Sequence, residues 1–135
     1  MTELKILIEN GVTNLKNGNF EKAEHLYRIV LETQSTHPDA NNNLGITLHK
    51  LNRFDEATIS YKRAIKFNPE FSMAYNNLGI TLKVLGQYDE AEVNYRKAIE
   101  LKEDFTLAHN NLGEIFEITK KYNEAEISYK KAIEL

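Results

Sequence analysis

Three carboxamide pairs are the residues best equipped for recognition chemistry. They are Asn42-Asn43, Asn76-Asn77 and Asn110-Asn111, each pair 34 residues from the next. A carboxamide carries a donor and an acceptor on one planar group. It can therefore bridge an N–H and a C=O of an extended peptide without reading the side chains. Each such bond nets about 0.5–1.5 kcal/mol, so useful affinity needs several acting together. The competing account is duplication, which copies residues whether or not they bind.

Other chemistry finds less support. The four histidines, His25, His37, His49 and His109, fall in different contexts, and no pair has zinc-ligand spacing. There is no cysteine, which removes disulfides and thiolate metal sites. Most carboxylates sit at expected helix starts or alternate with lysine, as in Glu124, Glu126 and Lys130, which describes a solvated face. No phosphate-binding glycine loop and no nucleophile motif is present. The expectation is a binding protein with no cofactor and no metal, not an enzyme.

Charge and hydropathy narrow the partners. With 17 basic against 20 acidic residues the net charge is −3, so the basic stripe of a nucleic-acid binder is missing. No stretch approaches the roughly 18 apolar residues of a membrane span. The start, Met1-Thr2-Glu3, lacks the basic and apolar runs of a signal peptide. A cytoplasmic protein with a protein or peptide partner, and neither nucleic acid nor membrane, is expected.

The elements that must position these residues follow from a repeat. Gly11, Gly45, Gly79 and Gly113 are spaced by 34 residues, as are Ala23, Ala57, Ala91 and Ala125 and the aromatics Tyr27, Tyr61, Tyr95 and Tyr129. A second aromatic column is Phe20, Phe54, Tyr88 and Tyr122. The units run about 4–37, 38–71, 72–105 and 106–135, and the length, 135 residues, suits a single domain. Each unit reads as two helices of about 12 to 14 residues around a short break, a length that needs packing partners to be stable. Gly18 and Gly86 can end the first helix of a unit in the left-handed conformation, with Asn52 and Lys120 at the equivalent places. Acidic or capping residues, Asp55-Glu56, Asp89-Glu90 and Asn123-Glu124, open the helices that follow.

The third unit reads Ala74-Tyr75-Asn76-Asn77-Leu78-Gly79, then Leu82, Gly86, Tyr88, Ala91, Tyr95 and Ala98. It resembles the tetratricopeptide repeat family, and the resemblance covers essentially the whole chain. Unit one departs from the pattern at Asn10 and Asn14, where the others have large apolar residues. The resemblance implies an all-α fold, a right-handed α-solenoid of four helix–turn–helix repeats whose stability comes from neighbour packing. It also implies a protein–protein interaction scaffold that holds an extended peptide in a concave groove lined by the first helices.

At 100° per residue, each first helix has a face opposite its packing side. That face carries Asp39, Asn42, Asn43, Ile46, His49 and Lys50 in unit two, and Met73, Asn76, Asn77, Ile80, Lys83 and Val84 in unit three. In unit four it carries Leu107, Asn110, Asn111, Glu114, Glu117 and Ile118. The expected grips are Asn43, Asn77 and Asn111, an arrangement similar to the asparagine ladder of the O-linked N-acetylglucosamine transferase repeat region. The Lys, Asn and Arg clamp that co-chaperone members of the family use for a C-terminal carboxylate is matched at only one of its five places. Ile8, Val12, Asn43, Met73 and Asn77 stand at its five places.

The chain ends at Ile133-Glu134-Leu135 with no polar capping helix. Either the sequence is an excerpt of a longer protein, which is the favoured reading, or the open end associates with another copy. A self-assembly module, or a substrate-delivery region of a larger enzyme, is therefore the alternative to the peptide scaffold.

Overall fold

The computed structural model describes residues 2–135, and every regular element among them is an α-helix. In chain order these are α1 (Glu3–Lys16), α2 (Phe20–Thr33), α3 (Pro38–Lys50), α4 (Phe54–Phe67), α5 (Ser72–Val84), α6 (Tyr88–Leu101), α7 (Thr106–Ile118) and α8 (Tyr122–Glu134). Odd-numbered helices open the repeats and even-numbered helices close them. The chain forms two compact units, one ending at Pro69 and the other spanning Glu70–Leu135.

The glycine and tyrosine columns turn out to be one device. A Cβ built on Gly45 would lie 2.6 Å from the Tyr61 ring, and one on Gly79 would lie 2.6 Å from the Tyr95 ring. Gly11 meets Tyr27 and Gly113 meets Tyr129 in the same way. Each aromatic ring of a second helix thus lies flat on the bare backbone of its own first helix. The alanines Ala23, Ala57, Ala91 and Ala98 are fully buried and let the helices approach.

Every first helix ends identically. Gly18, Asn52, Gly86 and Lys120 all take positive φ, between 60° and 78°. The next amide then reaches back five residues: Asn19 N–H to the Asn14 carbonyl, Arg53 to Leu48, Gln87 to Leu82 and Lys121 to Phe116, at 2.7–2.9 Å. This backbone closure satisfies carbonyls that the helix end leaves over. The acidic residues after the break lie in the first turns of α4, α6 and α8, while no side chain caps these helices. Their contribution is to the helix dipole rather than to a cap bond. His37 does cap: its Nδ1 accepts from the Ala40 amide at 3.1 Å, with Pro38 opening α3.

A charge latch ties consecutive repeats within each unit. Glu24 on α2 accepts from Arg28 one turn on and from Arg53, at the start of α4, at 2.8 Å. In the second unit Glu92 pairs with Arg96 at 3.0 Å and with Lys121 at 3.6 Å. The second unit's apolar contact runs through Ala98, Phe105 and Ala108, flanked by Tyr75 and Ile99.

Candidate functional site

In the first unit, the face of α3 presents Lys50 and Asp39 to solvent, with Asn43, Ile46 and His49 half-buried. Asn42 is buried. The hydroxyl of Tyr27 lies beside Asn43, and burial pushes its pKa up to about 12. His49 packs edge-on against Phe54, 5.1 Å between ring centroids. Burial, helped by the adjacent Lys50 charge, holds its imidazole below the ordinary histidine value.

In the second unit, α5 and α7 bring their faces together. Met73 is 43% exposed and Leu107 49% exposed, with Val84 and Ile118 also open to solvent. Between them lie Asn77, Ile80 and Lys83, half-buried, and the exposed Asn110. Lys83 of α5 is ion-paired to Glu114 of α7. Glu117 accepts from the Tyr129 hydroxyl at 2.9 Å, and the Tyr129 pKa is raised to about 12, by burial first and then by that carboxylate.

The sequence places Asn76 on the same face as Met73, yet its side chain is 0% exposed. Its Oδ1 accepts from Nδ2 of the buried Asn111 at 3.0 Å. The first asparagine of one repeat therefore holds the second asparagine of the next. Burial takes Asn42, Asn76 and Asn111 out of the set a bound peptide can reach, and Asn111 also has one donor committed to Asn76. The helical period separated the two faces of each helix but carried no information on how neighbouring repeats are staggered. That stagger also sets Lys83 against Glu114, both read from sequence as independent groove residues. His109 is buried, with Nε2 2.9 Å from the Glu103 carbonyl, and packs in the column of Tyr75.

At the end of the second unit an open-sided apolar groove of about 650 Å3 is lined by Thr106, Leu107, Asn110, Tyr129, Ala132 and Ile133. Of these, sequence reasoning singled out only Leu107 and Asn110 as groove residues. Tyr129 stands in the tyrosine column and Ala132 in a small-residue column with Val30, Ala64 and Ala98, whereas Thr106 and Ile133 belong to neither. Among the described residues no group of three or more histidine and acidic side chains could hold a metal ion. None of the described helices is long and apolar enough to cross a membrane.

A tetratricopeptide repeat family model matches residues 38–71 and 72–105, and a second model of the same description matches 107–135. No curated protein matches in sequence. Among solved structures, a crystal structure of MamA superposes with a TM-score of 0.92 at 26% identity, covering 98% of this chain and 77% of that one. MamA from Desulfovibrio magneticus RS-1 gives 0.90 at 21% identity, over 98% and 75% of the two chains. The first tetratricopeptide domain of Spaghetti (RPAP3), solved bound to an HSP90 peptide, gives 0.84 at 23% identity, over 87% and 94%.

Proposed function

The chain belongs to the tetratricopeptide repeat family, and from that premise we propose that it is a protein-interaction scaffold holding an extended peptide along its first-helix faces. The observation that carries this is the mixed chemistry of the α5 and α7 faces. Exposed Met73 and Leu107 flank Asn77, Asn110 and the Lys83–Glu114 pair. Apolar contacts supply burial, and the amides supply backbone hydrogen bonds that do not depend on sequence. On α3 the matching groups are Asn43, Ile46, His49 and Lys50. On this proposal the ladder rests on Asn43 and Asn77, which are half-buried, while the buried Asn111 ties its repeat to Asn76.

The ligand follows from the same residues. The positions that would clamp a terminal carboxylate hold Ile8, Val12 and Met73, so the bound segment is internal and carries apolar side chains. Glu117 and Glu114 give the second unit a local acidic bias that suits a lysine or arginine in that segment. No step of this reading involves catalysis.

A displayed library of peptides, panned on the parent chain and on an Asn43→Ala, Asn77→Ala variant, tests it. The expected result is enrichment of apolar, weakly basic internal segments by the parent, lost in the variant while its helical signal is kept. Equal enrichment by both would remove the asparagines from the site.

A further inference from the structure

Every first helix closes through the same backbone bond, but in α1 that closure encloses a chemically labile pair. The residues just before the left-handed position are Asn17, Leu51, Leu85 and Thr119. The last three are half-buried, whereas Asn17 and Gly18 are both exposed. Among the described residues the Asn17 carboxamide makes no hydrogen bond. Gly18 has φ 78°, and a Cβ built on it would meet nothing within 4 Å. A free carboxamide thus stands in solvent beside the least hindered backbone nitrogen a chain can offer.

Asn10 and Asn17 are the only asparagines followed by glycine. Their surroundings differ. Asn10-Gly11 lies inside α1, where Gly11 is buried and the Tyr27 ring rests against its backbone. At Asn17 the helix has ended, and the Gly18 amide is tied only to the Leu15 carbonyl, at 3.2 Å. Since α1 buries no residue but Gly11, opening its last turn disturbs little packing.

We propose that Asn17-Gly18 is a self-modification site, at which the folded chain converts Asn17 to aspartate or isoaspartate in water and so unfastens the end of α1. The Gly18 nitrogen attacks Cγ of Asn17, and the new N–Cγ bond forms as the Cγ–Nδ2 bond breaks. The amide proton passes to solvent, and Nδ2 leaves as ammonia. Water then opens the cyclic imide. Cleavage at Cγ gives aspartate, and cleavage at the main-chain carbonyl gives isoaspartate, whose backbone runs through Cβ. No oxidant or reductant takes part. The closure from the Asn19 amide to the Asn14 carbonyl, 2.8 Å long, spans the reacting pair. Either product sets a carboxylate at the negative end of the α1 dipole. Isoaspartate also adds an atom to the backbone inside the closure.

The test holds the intact chain in mildly alkaline buffer and follows it by peptide mass mapping and ion exchange. Asn17 is expected to convert at least about tenfold faster than Asn10, which reacts only when Tyr27 lifts from Gly11. In urea the two are expected to convert at comparable rates, because the contrast belongs to the fold. Asn17→Gln keeps the backbone closure and must form a larger, slower ring, so no acidic product is expected at that position. In the acidic fraction of the aged parent, hydrogen exchange at Gly18 and Asn19 is expected to quicken by about tenfold, with the amides of α3 unchanged. Conversion at Asn17 no faster than at Asn10 overturns the proposal. So does the same contrast in urea, or an acidic fraction whose α1 amides exchange as in the parent.

Discussion

At the scale of single residues, the packing of each repeat turns on a missing methyl group. Tyr95 is fully buried, so its ring cannot retreat from a Cβ placed 2.6 Å away on Gly79. Gly79→Ala gains about 0.5–1 kcal/mol of helix propensity and loses about 1–3 kcal/mol to overpacking. Overpacking wins, and a net loss of about 1–2 kcal/mol is expected in urea unfolding. The double variant with Tyr95→Leu should recover part of that loss, which separates the clash from any other role of the glycine. His49 supplies a pH dependence. Its folded pKa lies below the ordinary 6.5, so between the two values the unfolded chain binds the extra proton. Stability therefore rises with pH through that window and is lost on acidification through it. The parent chain is expected to lose more thermal stability than His49→Gln between about pH 7.5 and about pH 5.5. A parallel loss in the two proteins would show that another group carries the effect.

At the scale of elements, four first helices end in the same left-handed residue, but only two of the four are glycine. Asn52 tolerates that conformation, whereas Lys120, at φ 62°, bears a Cβ penalty of about 1 kcal/mol. Lys120→Gly is expected to raise stability by up to about 1 kcal/mol, read as a higher urea midpoint. No change would mean that the unfolded chain gains as much freedom as the fold loses strain. These closures were legible in the sequence, because Gly18 and Gly86 sit at fixed register and Asn52 is the next-best residue there. The length of each helix was legible for the same reason. The pairing of Asn76 with Asn111 was not, because a single helix's period says which way a side chain points and nothing about what faces it. The sequence thus told which positions, such as Met73 and Leu107, face solvent, and missed the pairs formed where two repeats meet. The Glu24–Arg53 latch was equally hidden, since neither residue is unusual on its own helix.

At the scale of the whole chain, burial is unevenly distributed among the eight helices. Only Gly11 is buried in α1, and only Ala125 and Ser128 in α8, whereas α3 and α7 each bury a broad face. Local opening follows burial in a repeat protein. Hydrogen exchange is expected to release the amides of α1 and α8 first and those of α3 and α7 last. Uniform protection from end to end would show instead that the repeats open as one cooperative body. The glycine–tyrosine seat has a further consequence for engineering. Each ring and the bare backbone beneath it belong to one and the same repeat, Gly11 with Tyr27, Gly45 with Tyr61, Gly79 with Tyr95 and Gly113 with Tyr129. Whole repeats cut at their boundaries therefore carry that fit with them, and shuffled libraries of this scaffold should be cut between repeats rather than between the two helices of one.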